Sequence, residues 1–367
     1  MATLQKIVIQ DFRNIQLQEL SFSPNINCIS GGNGEGKTNL LDAIWYLSMT
    51  KSAFSAPDRF NFRYGTSAFG LSGTYLMPGG TTSRFSIQVT DGGEKRIRRD
   101  DKPYTRISDH IGVLPIVMVS PADIALVSES GEERRKFVNA VLSQMDRPYL
   151  ADIQQYNRFL LQRNKLLKAG VWDEDLISTF DERLAALATP IFERRAAFCE
   201  SLVPVVQQYY AGISGGREQV GIEYRSDLQR GDLRGLLRER RERDRIFKFT
   251  TAGVQRDDFL FTMDGHPIRR CGSQGQQKSF LVALKFAQYE VMKGTYGYPP
   301  VMLLDDLFDK LDMARVGNLL RLVADQSFGQ IFLSDSNKVR TESIVDTLTS
   351  DRSYFETAGG VFTPVNE

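Results

Sequence analysis

Cysteine and histidine are scarce in this 367-residue chain: three cysteines (Cys28, Cys199, Cys271) and two histidines (His110, His266). Scattered so widely, they form neither a disulfide framework nor a metal-ligand spacing. No apolar run reaches the ~20 residues of a membrane span. The N-terminus lacks the apolar core of a secretory signal. A cytoplasmic location without membrane contact is therefore expected. An excess of either charge is also missing, with 46 Lys and Arg against 45 Asp and Glu and a formal net charge of +1. Any binding of nucleic acid would need local basic patches rather than a basic chain. There is no repeat and no low-complexity segment. What remains is a globular composition, 41% hydrophobic and 25% charged, long enough for two lobes.

Against that background one stretch stands out. Gly31-Gly32-Asn33-Gly34-Glu35-Gly36-Lys37-Thr38 fits G-x-x-x-x-G-K-[ST]. It follows a short apolar run, Ile26 to Ile29, that reads as a strand, and precedes a helix start from Asn39 to Trp45. Strand, glycine turn and helix form the setting in which this motif binds phosphate. Glycines let backbone N–H groups curl around an anion, and the helix N-terminus adds partial positive charge. Lys37 would reach the β- and γ-phosphates of a nucleotide, and Thr38 would offer its hydroxyl to magnesium.

Around this motif, Leu4 to Phe12 and Gln16 to Phe22 predict a strand pair. Phe69 to Val89 alternates about Pro78-Gly79-Gly80, and Asp91-Gly92-Gly93 then leads into Lys95-Arg96-Ile97-Arg98-Arg99, the pattern of an antiparallel meander. From Glu132 to about Tyr210 the chain reads as helical, with breaks near Pro148, Gly170, Pro190 and Pro204. Strand-like sequence returns at Phe259 to Phe261, with Asp264-Gly265 as a hairpin turn. A helix from Gly275 to Met292, a strand from Val301 to Leu304, a helix around Leu311 to Ala324 and a strand from Gln330 to Leu333 are expected after it. The middle is too irregular for a long coiled coil. The expected organisation is an α/β ATPase lobe made of residues 1–120 and 253–367, with a mostly helical lobe, 121–252, inserted between its halves.

The run Val301-Met302-Leu303-Leu304 ends in Asp305-Asp306. A buried strand of this kind delivers carboxylates to its C-terminal edge, where ligands bind in open α/β sheets. Asp305 would help hold magnesium, and Asp306 would orient or deprotonate an attacking water. A third element, Ser273-Gln274-Gly275-Gln276-Gln277, can cap the helix that starts within it.

In their order and spacing these segments resemble the RecF family of recombination-mediator ATPases, related to the heads of structural-maintenance-of-chromosomes proteins and ABC ATPases. The resemblance rests on Gly31 to Ile44, on Ser120 to Val127 with Arg134-Arg135-Lys136-Phe137, and on Gly253 to Asp258. It continues through Ser273 to Gln277 and Leu303 to Asp312, and so covers nearly the whole chain. It implies a head with a P-loop ABC-ATPase-like fold that binds ATP and magnesium and hydrolyses ATP slowly. ATP on the phosphate loop of one subunit would be completed by Ser273, Gln274, Gly275 and Gln276 of a second, making an ATP-dependent homodimer. Arg13 would stand at the phosphates or base, and Asp309-Lys310-Leu311-Asp312 would line the dimer seam. The implied role is DNA binding at gapped or stalled-replication sites, with RecR and RecO as partners in loading RecA.

The pattern departs from the family at Val254-Gln255, where proline-histidine is usual, and at Lys310, where glutamate is usual. Ser334-Asp335-Ser336 also lacks the switch histidine of transporter ATPases. A transporter-type ATPase subunit and a regulatory or defence ATPase of the chromosome-maintenance type are the alternatives. The first normally carries that histidine, and the second would be marked by nuclease motifs, of which none is seen. For DNA, the candidate contacts are Lys95, Arg96, Arg98 and Arg99, and an arginine-rich stretch that includes Arg240 and Arg241. Acids are interleaved in the second group, which also fits a salt-bridged surface helix. Contact with the DNA backbone, without base readout, is expected.

Overall fold

The computed structural model describes residues 1–55, 57–170, 173–306, 328–346 and 349–365. The chain divides into two units, Met1–Asp123 with Leu284–Glu367, and Ile124–Ala283. In chain order the strands are β1 (Thr3–Phe12), β2 (Ile15–Ser21), β3 (Ile26–Ser30), β4 (Ala68–Leu76), β5 (Thr82–Thr90), β6 (Lys95–Arg99), β7 (Lys102–Pro103) and β8 (Ile116–Val119). The second unit contributes β9 (Val220–Arg225), β10 (Asp258–Met263) and β11 (His266–Pro267). The first unit resumes with β12 (Val301–Asp305), β13 (Ile331–Asp335), β14 (Arg352–Ala358) and β15 (Val361–Val365).

Two six-stranded sheets build the first unit. One is antiparallel in the order β2-β1-β4-β5-β6-β7, with buried and more exposed residues alternating along β4 and β5 as a half-covered sheet requires. The other runs β15-β14-β3-β13-β12-β8 and is parallel except for its β15 edge. Its strands β3, β8, β12 and β13 are buried at every position, the signature of a sheet covered on both faces. The helix Lys37–Met49 touches strands of both sheets, and Leu40, Leu41, Ala43, Ile44, Tyr46 and Leu47 on it are fully buried. At ~1.5–3 kcal/mol for each large apolar side chain, this burial anchors the start of the helix against the sheet that carries the site. Edge-to-face contacts among Phe12, Tyr46 and Phe69, with centroids 5.2–6.0 Å apart, fill the space beneath the antiparallel sheet.

The second unit packs the helices Gly131–Met145, Arg147–Ala169 and Glu174–Ser214 with a three-stranded antiparallel sheet, β11-β10-β9. Neither Pro190 nor Pro204 breaks the last of these helices, which runs for 41 residues. The expected breaks are absent because the buried stripe Leu184, Ala188, Ile191, Arg195, Phe198, Leu202 and Val206 keeps helical spacing across both prolines. Its burial offsets the ~3 kcal/mol that an interior proline costs. The unit boundary also lies later than the expected residue 253. Residues 253–283 join the second unit because β10 pairs with β9 and Asp258 with Arg134. The Asp264-Gly265 turn forms as expected, with φ of 48° and 77°. The helix expected around Leu311 to Ala324 and the Asp309–Asp312 segment lie outside the described residues, as does Trp172.

Three arginines organise this second unit. Arg163, fully buried, donates to Asp181 Oδ1 at 2.7 Å, Asp244 Oδ2 at 2.7 Å and Thr250 Oγ1 at 2.8 Å. Arg195 donates to Asp257 Oδ2 at 2.6 Å, Val254 O at 2.7 Å, Asn139 Oδ1 at 2.9 Å and Tyr149 Oη at 3.0 Å. Arg134 grips Asp258 through two nitrogens, at 2.8 and 3.1 Å. Gln255, at the position of the family's histidine, accepts from the Tyr156 hydroxyl and donates to Ala252 O at 2.7 Å.

Candidate nucleotide site

The phosphate loop leaves the buried strand β3 and returns as the helix Lys37–Met49. Gly34 and Gly36 turn it with φ of 83° and 113°, conformations closed to most side chains. Gly36 is also crowded, since a Cβ there would lie 2.9 Å from Asn14 Nδ2. Gly31 lets the loop start close against β14, and Asn33 stands exposed at its crest. The Lys37 ammonium folds back over the loop, donating to Gly31 O at 2.7 Å and Gly32 O at 3.0 Å. It is thus held over the same concavity into which the loop's N–H groups can point.

The acidic strand meets the loop directly. Thr38 Oγ1 donates to Asp305 at 2.9 and 3.1 Å to its two oxygens. Parallel pairing of β12 with β13 sets Asp305 opposite Ser334, whose hydroxyl donates to Asp305 Oδ1 at 2.6 Å. Burial pushes the Asp305 carboxyl above the ordinary carboxylate range, with neighbouring Asp306 adding to the shift; the Ser334 and Thr38 hydrogen bonds and the Lys37 charge oppose it. Asp306 holds a left-handed backbone, φ 43°, with its N–H on Ser334. Such strain costs ~1–3 kcal/mol and gathers at functional turns. A hydroxyl and a carboxylate this close are hard oxygen donors of the kind magnesium takes, so the residues fit that ion.

Arg13, expected at the phosphates or base, is held here by protein acceptors. Its guanidinium sits 2.7 Å from Asp42 Oδ2 and donates to Ser52 Oγ at 2.9 Å, Asn39 Oδ1 at 3.0 Å and Asn61 Oδ1 at 3.3 Å. Asp42 is fully buried; burial raises its carboxyl pKa, and Arg13 opposes the shift. With all three guanidinium nitrogens on protein acceptors, Arg13 braces the first turn of the helix through Asn39. The sequence reading missed Ser334, Asp42 and Asn14; of these, only Asp42, an acid inside an apolar helix pattern, carries a local signal.

Ser273, Gln274, Gly275 and Gln276 lie in the second unit, at the start of the helix Gln274–Tyr296. Ser273 N donates to Gln276 Oε1 at 2.8 Å, and Gln276 N donates to Ser273 Oγ at 3.3 Å. This reciprocal pair is a capping box. Gln276 Nε2 further donates to Glu218 Oε1 at 2.8 Å, and Ser273 and Gln274 are exposed. The hydroxyl and helix terminus therefore face solvent with their geometry fixed.

The basic candidates divide by strand alternation. Lys95 points inward, 2.8 Å from Asp58 Oδ2 and donating to Thr50 O at 2.8 Å, so its charge is already paired within the fold. Arg99 leans over the Phe85 ring, 5.5 Å from its centroid, and lies 3.7 Å from Asp100. Arg96 and Arg98 share the opposite face, where they line a concavity of about 480 Å³ together with Gln10, Gly70, Ser86 and Gln88. Arg240 is tied to Asp227 at 3.1 Å and Thr251 O at 2.6 Å, and Arg241 to Glu174 at 3.2 Å. Both arginines belong to intramolecular bridges, so neither charge stands free.

Comparison with known proteins gives the family and the fold. Residues 6–189 match the family model described as AAA domain. The chain is 40% identical to the DNA replication and repair protein RecF of Bacteroides fragilis, over 99% of both chains. It is 41% identical to that of Bacteroides thetaiotaomicron, over 98% of this chain and 97% of the other. A solved structure of the recombination mediator protein RecF with ATP superposes with a TM-score of 0.89 at 28% identity, covering 100% of this chain and 98% of that one. An Smc head domain from Pyrococcus furiosus shares the fold, with a TM-score of 0.60 at 15% identity. Among the described residues, no helix is long and apolar enough to cross a membrane.

Proposed function

This chain belongs to the RecF family of DNA replication and repair proteins, and on that premise we propose that ATP gates its grip on DNA. The observation that carries the reading is the Thr38–Asp305 hydrogen bond at 2.9 Å, which joins the phosphate loop to the acidic strand. Gly31, Asn33, Gly34, Gly36, Lys37, Thr38 and Asn39 form the phosphate cradle, with Lys37 leaving its loop carbonyls for phosphate oxygens. Thr38 and Asp305 would hold magnesium, which when bound would neutralise charge on the phosphates. Asp306, on its strained turn, orients the attacking water. Ser273, Gln274, Gly275 and Gln276 of a second copy close the site, because a capped helix start with an exposed hydroxyl suits the γ-phosphate. Nucleotide then favours the dimer by mass action, and slow hydrolysis releases it.

The joined heads bind duplex DNA or a duplex–single-strand junction and act as a recombination mediator, with RecR and RecO, in loading RecA onto gapped DNA. Arg96 and Arg98 are the contacts retained from the basic candidates. Fluorescence anisotropy with duplex, gapped and single-stranded DNA, with and without ATP-magnesium, tests the gate. ATP-dependent binding that disappears in Lys37→Ala supports it. Equal DNA affinity with and without ATP, alongside intact ATP binding, rules it out.

A further inference from the structure

The crest of the phosphate loop is gripped from outside by a segment more than 300 residues away in sequence. The Glu35 carbonyl accepts three hydrogen bonds, from Gly360 N at 2.9 Å, Thr357 Oγ1 at 3.1 Å and Asn14 Nδ2 at 3.3 Å. The Glu35 carboxylate accepts a further one from Gly359 N. Thr357 lies near the end of β14, and Gly359-Gly360 form the two-residue turn into β15 with φ of 57° and 82°. A turn of this kind needs two left-handed residues. The packing is equally tight. A Cβ on Gly31 would fall 2.6 Å from Thr357 O, and one on Gly360 would fall 2.4 Å from Asn14 O. Phe362 N donates to Gln18 Oε1 at 2.8 Å, which fixes the hairpin to the start of the chain.

These bonds have a consequence for the concave side of the loop. A trans peptide is planar, with its C=O and N–H pointing in opposite directions. Three donors that hold the Glu35 oxygen outward therefore hold the Gly36 N–H inward, where the loop's N–H groups converge on an anion. Asn14 extends the brace, since Asn39 Nδ2 donates to its Oδ1 at 2.7 Å and Asn39 Oδ1 receives Arg13. Resting on the ATP reading above, we propose that the β14–β15 hairpin, through Thr357 and Gly360 together with Asn14, is a clamp that presets the phosphate loop for nucleotide. Without it the Glu35–Gly36 peptide must be ordered during binding, and the ordering cost is subtracted from affinity. All three are positioning residues: they act on the nucleotide only through the loop backbone.

The test uses the full chain, a fluorescent ATP analogue with magnesium, and the nucleotide-free Tm. Thr357→Val removes one donor of three. Affinity is expected to fall about threefold to tenfold, the worth of one hydrogen bond, with Tm within about 2 °C of the unaltered chain. Thr357→Ser keeps the hydroxyl and restores affinity, while Gly360→Ala weakens binding further. Wild-type affinity in Thr357→Val overturns the clamp. So does an equal loss in Thr357→Ser and Thr357→Val that follows a fall in Tm, the mark of plain destabilisation. An unaltered chain that binds no ATP would instead remove the reading on which the clamp rests.

Discussion

The two units use their charged motifs in opposite ways. In the first, Lys37 rests on two carbonyls of its own loop, and Asp305 is a buried carboxylate facing hydroxyls. In the second, the buried pair Arg195 and Asp257 meet at 2.6 Å amid Tyr149, Val254 O and the half-buried Tyr224 and Asn139. Lys37, Asp305 and Asp257 come from segments shared with the family, whereas Arg195 comes from the long helix. The difference is saturation. Arg195 has every nitrogen on a protein acceptor in or beside the core, so its charge serves the fold. Lys37 has partners that a phosphate oxygen can replace at small cost, so its charge is available for chemistry. A motif thus says where charged groups gather, and their partners decide what the charges do.

The sharpest way to break this contrast is to remove one charge from each side. Arg195→Ala leaves Asp257 buried without its partner and is expected to cost about 3–5 kcal/mol of stability in urea unfolding. Lys37→Ala is expected to shift that unfolding midpoint little, by under about 1 kcal/mol. Its ATP affinity, measured by titration calorimetry, should instead fall about 30- to 100-fold, the loss of charge-assisted bonds worth about 2–3 kcal/mol. If Arg195→Ala folds as stably as the parent and loses ATP binding, the assignment of roles is reversed.

Legibility in the sequence follows the same division. The phosphate loop, the acidic strand and the meander are readable because each is a local signal, in which glycine spacing, an apolar run or alternation fixes a structure within ten residues. Saturation is nonlocal and leaves no such trace. Arg240 and Arg241 sit in a plainly basic stretch, yet their partners Asp227, Glu174 and Asp181 are remote or on other helices. Pro190 and Pro204 carry a correct local preference that a long buried stripe overrides. Ser334 and Thr357 reach the site only through strand register, across β13 and β14. Lys95 is instructive, because period-two alternation separates it from Arg96 and Arg98 without any structure.

A smaller effect tests the saturated side by pH. In Asp258, burial works to raise the carboxyl pKa, but the Arg134 hydrogen bonds and charge, with Phe259 N–H and Arg135, outweigh it and hold the group below its ordinary value. A depressed carboxyl contributes stability that is present above its unfolded pKa, ~3.9, and is lost as pH falls through the lower folded value. The second unit should therefore weaken below about pH 4. Asp258→Asn should be less stable at neutral pH and lose less on acidification, as followed by circular dichroism. An unchanged acid limb in the variant would place the pH dependence on other carboxylates.

The weakest expected effect concerns the basic patches, where the comparison of open against saturated charge makes a prediction on one surface. Arg96 and Arg98 extend from β6 into a shallow concavity, and Arg96 pairs there with the exposed Glu94 at 2.8 Å. An exposed pair of this kind holds its charge loosely, worth ~0–1 kcal/mol, so a phosphate can displace it. Arg96→Ala with Arg98→Ala should lower duplex affinity several-fold and reduce the slope of log affinity against log salt by about 1.8, near 0.9 for each phosphate left unneutralised. Arg240→Ala should leave that slope unchanged and lower Tm instead, since its charge is already taken up by Asp227 and Thr251 O. A lowered salt slope in Arg240→Ala, with Arg96 and Arg98 silent, would mean that partner saturation fails to predict which arginines meet DNA.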